Sequence, residues 1–259
     1  MSTPRTITET HPTTADPATI YPERFRGHTV LVTGAAGGLG SVTADRLERE
    51  GATVVRTDVA SGQRNGHSIT ALDVTDRASW NRTLDSLMST HGRLDAALFA
   101  HGIQGPEVPI TAMPFEGWAK TMSVNLDGCF HGLAAILPLM TSRGYGRVTI
   151  LSSISAREGN PHQGAYSASK AGVVSLVKTA AKEVATDNVT VNAIAPSMMD
   201  TPMLADLSPE RNAALLARVP MGRVGSTAEF SALATWLLSS EASYVTGQTL
   251  DLSGGRNTA

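Results

Sequence analysis

The chain has 259 residues, of which 41% are hydrophobic and 17% charged, and its formal charge of −2 comes from 21 basic and 23 acidic side chains. This length suits one large domain or two small ones, and the near-neutral charge argues against nucleic acid or an anionic membrane as a partner. A single cysteine, Cys129, excludes an internal disulfide, and no Cys/His spacing predicts a metal site. Because no apolar stretch suits a signal peptide or a membrane span, we expect a cytoplasmic protein.

The first 26 residues differ in composition from the rest of the chain. They contain no glycine, and four prolines stand there among many threonines. Such a composition opposes helix formation and cannot assemble a core. We therefore predict that residues 1–26 form a flexible extension. Residues 27–259 show no repeat and no second change of composition, which predicts one domain.

From Gly27 onward, short β-branched runs alternate with longer stretches of helical period. The candidate strands are His28–Thr33, Ala52–Thr57, Ser68–Leu72, Leu94–Ala100, Arg147–Ser152, Val189–Ala195 and Gln248–Leu252. The candidate helices are Leu39–Glu50, Arg77–His91, Phe115–Ser142, Ala165–Thr186 and Thr227–Ser239. Most of these strands are apolar at nearly every position, as parallel strands are when helices cover both faces. The pattern predicts an α/β fold, a Rossmann-like doubly wound parallel sheet of about seven strands, with ligands beyond the carboxyl ends of the strands.

A glycine-rich turn leads from the first candidate strand into the first helix. It contains Gly34, Gly37, Gly38, Leu39 and Gly40. Without Cβ atoms, the backbone N–H groups and the positive helix end can approach a pyrophosphate.

An acidic residue, Asp58, ends the second strand 18 residues after Gly40. A carboxylate at this interval can bind the ribose hydroxyls of a dinucleotide and repel a 2′-phosphate, although it could equally cap a turn. The motif predicts a nicotinamide cofactor, with NAD favoured over NADP. Arg56 and Arg64 lie near enough in the sequence to bind a phosphate, and this alternative stays open.

Tyr166 and Lys170 stand four residues apart on a candidate helix and therefore share one face. An ammonium beside a phenol lowers the pKa of the phenol and makes it a useful general acid or base. Ser153 precedes Tyr166 by thirteen residues at the end of a strand, and Asn125 lies on the preceding long helix. These four residues are the candidate catalytic group.

The turn spacing TGxxxGxG followed by Asn125, Ser153, Tyr166 and Lys170 resembles the classical short-chain dehydrogenase/reductase family, from Gly27 to the C-terminus. The resemblance implies an NAD(P)-dependent alcohol dehydrogenase or ketone reductase acting on CH–OH groups. In this family Tyr166 would give or take the proton, and Ser153 would hold the same oxygen. Lys170 would lower the pKa of Tyr166 and bind the nicotinamide ribose, while Asn125 would hold a water.

The same resemblance implies cofactor contacts at Tyr166 and Lys170 and further ones at Asp73, Val74, Ala100, His101, Gly102, Pro196, Ser197 and Thr201. Two positions depart from the family. Its Asn-Asn-Ala-Gly segment reads Phe-Ala-His-Gly here, which removes two amides, and Ser197 stands where glycine is usual. His101 could replace the missing hydrogen bonds or face the ribose, and a structural role is the simpler interpretation.

Three segments are expected around the substrate: Ile103–Met113, Ile154–Gln163 and Ser197–Val219. Their isoleucines, leucines and methionines predict a small, apolar or cyclic secondary alcohol or its ketone. Two alternatives remain, a 3-oxoacyl-type reductase using NADPH and a catalytically idle, cofactor-binding regulatory protein. The resemblance also implies a homo-oligomer, with a tetramer favoured, that assembles through the two long central helices.

Overall fold

Eight strands form one sheet in the computed structural model, which describes residues 16–201 and 209–257. They are β1 Thr29–Thr33, β2 Thr53–Asp58, β3 Gly62–Arg64, β4 His67–Ala71, β5 Ala96–Phe99, β6 Gly146–Leu151, β7 Val189–Pro196 and β8 Thr249–Leu252. Their order is β3-β4-β2-β1-β5-β6-β7-β8, and all neighbours are parallel except β3 and β4. The order reverses between β1 and β5, where a doubly wound sheet opens a crevice for ligands.

Helices cover both faces of this sheet. They are α1 Gly38–Arg49, α2 Arg77–His91, α3 Phe115–Met122, α4 Gly128–Arg143, α5 Ser155–Glu158, α6 Gly164–Val184, α7 Pro209–Leu216 and α8 Thr227–Leu238. Every residue of β1, β5 and β7 is buried, because these central strands lie between two helix layers. The predicted α/β, doubly wound class is confirmed. Among the described residues, no helix has the length and apolar character needed to cross a bilayer.

Two elements differ from the sequence prediction. The short strand β3 pairs antiparallel with β4, and all three of its residues are exposed, so it lacks the apolar pattern of the other strands. Asn65 and Gly66, both with positive φ, form the two-residue turn between these strands. The predicted helix Phe115–Ser142 is divided by a π-helical turn at Ser123–Asp127, which lies between α3 and α4.

Residues 16–26 belong to the segment 1–26 that the sequence predicts to be a flexible extension; most of them are exposed, but some contact the domain. Phe25 is fully buried and joins the apolar cluster that includes Leu47 of α1 and Leu238 of α8. Contacts with the domain therefore begin before Gly27, and the buried aromatic ring of Phe25 is one of them. Residues 1–15 lie outside the described residues.

Arg46 of α1 holds this segment by its backbone. Its guanidinium donates hydrogen bonds to the carbonyl oxygens of Pro17 at 2.6 Å and Thr19 at 2.7 Å, and it pairs with Glu50 at 2.9 Å. Arg46 and Glu50 are both almost completely shielded from solvent. A buried arginine with every partner in place is costly to disturb, since removing it strands several polar groups.

We expect Arg46→Met to lower the free energy of unfolding by about 2 kcal/mol, because Glu50 then loses a buried partner and two backbone carbonyls lose their donor. Glu50 would keep Arg24, at 3.3 Å. Urea denaturation followed by circular dichroism measures the change. Arg49→Met is the matched control, since Arg49 is exposed on the same helix. Equal midpoints for the two variants would contradict the prediction.

Candidate active site

The glycine turn between β1 and α1 packs tightly against the end of β5. Gly34 has a φ of +67°, and a Cβ atom there would lie 2.8 Å from the backbone of Ala100 and His101. A Cβ atom on Gly40 would overlap the carbonyl oxygen of Gly34. The close approach leaves no room for a side chain at Gly34 or Gly40 and brings the backbone of the turn against the end of β5. The other predicted residues of the turn, Gly37, Gly38 and Leu39, open α1.

Asp58 lies beside this turn at the end of β2. Its carboxylate accepts a hydrogen bond from the backbone N–H of Ala36 at 3.0 Å and another from that of Val59 at 2.8 Å. The side chain is half-buried. The structure thus brings Asp58 to the glycine turn.

The two arginines near Asp58 differ in their surroundings. Arg56 is 4% exposed and pairs with Asp45 at 2.7 Å and with Glu48 at 2.9 Å. These carboxylates already neutralise its charge and hold it against α1. Arg64 is exposed on β3. Of the two, Arg64 has the less restricted side chain.

Asp73 and Val74 follow β4. The Asp73 carboxylate accepts hydrogen bonds from the backbone N–H of Thr75 at 2.9 Å and from its hydroxyl at 2.7 Å, as in an Asx turn. The Val74 carbonyl accepts the indole N–H of Trp80 at 3.0 Å. A Cβ atom on Gly128 would lie 2.9 Å from the Val74 side chain, so Val74 packs where α4 begins.

Asn125 lies in the π-helical turn and is fully buried. Its side chain accepts from the N–H of Ile103 at 2.8 Å and donates to the carbonyl of Ile103 at 2.9 Å and to Ser169 at 3.0 Å. Both amide hydrogens are used, so only oxygen atoms of Asn125 remain to hold the predicted water. Gly102 lies alongside, since a Cβ atom there would be 3.2 Å from Lys170 Nζ and 3.3 Å from Asn125 Oδ1.

Tyr166, Ser153 and Lys170 converge where β6 meets α6. Tyr166 forms a side-chain hydrogen bond with Ser153, whose hydroxyl also accepts from the N–H of Ser155 at 3.1 Å. Lys170 Nζ lies 5.9 Å from the centre of the Tyr166 ring and donates to the carbonyl of Leu151 at 2.6 Å. The structure therefore brings together the four residues of the candidate catalytic group. Asn125 lies near Lys170, since both side chains approach Gly102.

Burial governs the protonation of this group. It raises the pKa of Tyr166 above its ordinary value, and the hydrogen bond with Ser153 offsets only part of that rise. It also lowers the pKa of Lys170, which is 1% exposed. The pKa of Tyr166 is therefore raised, whereas the sequence predicts that Lys170 lowers it. Desolvation of the phenol is the largest cause of this rise. The phenol is therefore protonated near neutral pH.

His101 occupies the position left without amides at the end of β5. Its Nδ1 lies 2.6 Å from the hydroxyl of Thr33, and its Nε2 lies 3.5 Å from the Cys129 sulfur. Burial lowers the pKa of His101 to about 3, so the ring is neutral. These contacts favour the structural role over a ring that faces the ribose. Ala100, beside it, packs against Gly34 through its backbone.

The residues after β7 border the same edge of the sheet. The Pro196 carbonyl accepts from the N–H of Ile154 at 3.2 Å. The Ser197 hydroxyl is buried and has no hydrogen-bond partner among the described residues. The Thr201 hydroxyl donates to the Met199 carbonyl at 3.5 Å. Part of the predicted substrate segment, including Met203, Leu204 and Leu207, lies outside the described residues.

Sequence reasoning missed a direct link between two predicted walls of the substrate site. Val108 donates its N–H to the carbonyl of His162 at 3.0 Å and forms a parallel bridge with Gln163. Glu107 accepts a hydrogen bond from Gln104 and one from Gln163, each at 3.2 Å. The link therefore positions the two walls relative to each other. No local pattern could have revealed it, because the partners lie far apart in the sequence.

Comparisons with known proteins agree with this geometry. The family model described as Enoyl-(Acyl carrier protein) reductase matches residues 34–257. The chain is 34% identical over 246 residues to a 2-dehydro-3-deoxy-L-rhamnonate dehydrogenase (NAD(+)) of Sphingomonas sp., covering 92% of this chain and 99% of that one. It is 35% identical over 243 residues to the 3-oxoacyl-(acyl-carrier-protein) reductase FabG of Thermotoga maritima, covering 90% and 98%. The crystal structure of a levodione reductase matches with a TM-score of 0.82 and 31% identity, covering 90% and 98%.

These matches span nearly the whole chain and confirm the resemblance seen in the motifs. They also agree with the fold, since the matched crystal structure is covered almost completely. The protein is an NAD(P)-dependent oxidoreductase that acts on alcohol or ketone groups, and it belongs to the short-chain dehydrogenase/reductase family.

Proposed function

We propose that the protein interconverts a small secondary alcohol and its ketone with NAD(H), and that Tyr166 is the general acid and base. The observation that carries this proposal is the convergence of Tyr166, Ser153 and Lys170 where β6 meets α6. An apolar or cyclic substrate remains our preferred class, because the walls of the site are rich in aliphatic side chains.

A dinucleotide suits the residues along the carboxyl edge of the sheet. Gly34 and Gly40 leave no space for side chains, so the first N–H groups of α1 can bind a pyrophosphate. Asp58 would bind the adenosine ribose, and Lys170 the nicotinamide ribose. The buried, unpartnered Ser197 hydroxyl could bind a polar group of the cofactor. The remaining predicted contacts, at Asp73, Val74, Ala100, Gly102, Pro196, Thr201 and the backbone of His101, would line the same cleft. When bound, the nicotinamide supplies the hydride donor or acceptor.

In the reductive direction, the protonated phenol of Tyr166 gives its proton to the ketone oxygen. Ser153 donates a hydrogen bond to the same oxygen and stabilises the negative charge that develops there. The charge of Lys170 favours the phenolate that remains after transfer. A water held by oxygen atoms of Asn125 would return a proton from solvent. In the oxidative direction the same groups act in reverse.

Two observations support NAD as the preferred cofactor. Asp58 places a carboxylate at the turn, where it would repel a 2′-phosphate. Arg56, which could otherwise neutralise that phosphate, is engaged by Asp45 and Glu48. The relative from Sphingomonas is named as an NAD(+) enzyme, in agreement with this preference.

We expect Asp58→Asn to raise the KM for NAD about tenfold, since hydrogen bonds to a charged group are lost, and to reduce the preference over NADP by at least that factor. Steady-state kinetics with both cofactors measure the change. Arg64→Gln is the control, and it should alter only the weak activity with NADP. An unmodified enzyme that prefers NADPH would overturn the assignment of NAD.

A 3-oxoacyl-type reductase using NADPH is the second candidate, because relatives such as the Thermotoga maritima protein carry that name. The test is an absorbance assay at the NADH band with cyclic, aliphatic and hydroxy-acid alcohols, the matching ketones and a 3-oxoacyl thioester. NAD(H) and NADP(H) are run in parallel. Turnover confined to the thioester and NADPH would replace our proposal with the second candidate. Binding of NADH without any turnover would favour the idle regulatory protein.

We also propose a cytoplasmic homotetramer that assembles through the long central helices. Phe130 of α4 supports this assembly, since its side chain is 49% exposed although it is large and apolar. Sedimentation analysis of the purified protein tests the oligomeric state.

A further inference from the structure

We propose that His101 is a positioning residue that couples the glycine turn to the catalytic helix through an ordered chain of hydrogen bonds. The chain runs from the Thr33 hydroxyl through the His101 imidazole and the Cys129 thiol to the backbone carbonyl of Asn125. This inference rests on the proposed function, in which Asn125 and the turn both serve the reaction.

The distances define one direction for the hydrogen bonds. Cys129 donates its S–H to the Asn125 carbonyl at 3.1 Å, because a carbonyl can only accept. The sulfur must then accept from His101 Nε2, at 3.5 Å, which places the ring proton on Nε2. Nδ1 is left as an acceptor and takes the Thr33 hydroxyl hydrogen at 2.6 Å. The Thr33 hydroxyl, the imidazole and the thiol therefore each donate once, the imidazole and the thiol also each accept once, and the Asn125 carbonyl only accepts.

Burial keeps this arrangement intact. Thr33, Cys129 and Asn125 are each no more than 1% exposed, and His101 is 8% exposed. Burial and the nearby charge of Lys170 hold the pKa of His101 at about 3, and burial raises the pKa of Cys129 to about 12. Both side chains are therefore neutral at working pH. A neutral ring is required, since a second ring proton would remove the acceptor that Thr33 uses.

The two ends of the chain lie at functional positions. Thr33 directly precedes Gly34, which contacts the backbone of Ala100 and His101. At the other end, Asn125 belongs to the π-helical turn and holds both backbone groups of Ile103. A π-helical turn frequently marks a functional site, where the backbone departs from the regular pattern. We expect these hydrogen bonds to transmit a change at the glycine turn to Asn125.

A double-mutant cycle between the ends of the chain tests the coupling. Thr33→Val and Cys129→Ala should each lower kcat about fivefold to tenfold, as expected for one lost hydrogen bond, with the KM for NAD changed less than about twofold. Since both break the same chain, the double variant should lose little more than either single variant. Cys129→Ser keeps a donor and an acceptor, and it should restore kcat to within about threefold of the original.

Ile136→Val is the matched control, because Ile136 is fully buried on the same helix and its aliphatic side chain takes part in no hydrogen bond. It should lower thermal stability without changing kcat. Single effects that multiply in the double variant would overturn the proposal, as would a kcat that neither substitution changes. If Thr33→Val does not fold, Thr33→Ala replaces it in the cycle, and Thr33→Ser should retain activity.

A second measurement separates this inference from the proposed function. The protein has one cysteine, so the S–H infrared band reports on Cys129 alone. We expect NADH to shift the band in the original protein and to shift it less in Thr33→Val. Absence of turnover with every substrate would refute the proposed function, whereas an S–H band unaffected by NADH would refute the coupling.

Discussion

Replacing Tyr166 by phenylalanine should reduce kcat by roughly a thousandfold, because no other described side chain in the site can give a proton to the ketone oxygen from the same position. Ser153 keeps its hydroxyl in this variant, beside position 166 and the N–H of Ser155. We expect this hydroxyl to hydrogen-bond the ketone oxygen but not to transfer its proton to it. NADH binding, measured by fluorescence, should stay within about twofold, since the phenol hydroxyl lies among reacting groups and few cofactor contacts depend on it.

The pH dependence of the unmodified enzyme provides an independent check. Because burial raises the pKa of Tyr166, the phenol is protonated at neutral pH. Ketone reduction needs this proton, so its kcat/KM should be constant near neutrality and fall as the pH rises through that pKa. Alcohol oxidation needs the phenolate, and its kcat/KM should rise over the same alkaline range. A Tyr166→Phe enzyme that retained near-normal turnover with the same pH profile would refute the role of Tyr166.

Gly40→Ala should weaken NADH binding about tenfold to hundredfold. The added Cβ atom would overlap the carbonyl oxygen of Gly34, and the turn cannot move away because Gly34 is already packed against Ala100 and His101. Forced overpacking of this kind costs about 1–3 kcal/mol, which corresponds to that range of affinity. Fluorescence titration with NADH measures the loss directly, without any need for a known substrate.

Gly37→Ala provides a graded comparison in the same turn. Its Cβ atom would lie 3.3 Å from the Gly34 carbonyl oxygen, a tight contact that a small shift can relieve. We therefore expect a smaller loss of affinity than for Gly40→Ala. Equal affinities for the two variants and the original protein would mean that the turn does not bind the cofactor.

Much of the fold could be predicted from the sequence because burial leaves a strong local pattern. The central strands are apolar at almost every position, and this alone indicates a sheet covered on both faces. The exposed strand β3 has no such pattern, and its only sequence signal is the Asn65-Gly66 pair. The composition of the segment before Gly27 does not show its contacts with the domain, because these depend on the burial of Phe25 and on hydrogen bonds from Arg46.

The candidate site was predictable where spacing determines geometry. Tyr166 and Lys170 are four residues apart on a helix, so their common face follows from the helical repeat. The raised pKa of Tyr166 did not follow, because desolvation depends on everything packed around the phenol. The contacts of His101 with Thr33 and Cys129 join residues far apart in the chain, and only the folded sheet brings them together.

The burial of Cys129 has a practical consequence for fluorescence labelling. Its thiol is 1% exposed and its pKa is raised to about 12, so it forms almost no reactive thiolate at neutral pH. No other cysteine occurs in the chain. A cysteine introduced at an exposed position such as Lys120 would therefore take a maleimide dye selectively, without prior removal of the native thiol. Energy transfer between such dyes could follow movements of the helices around the site during turnover.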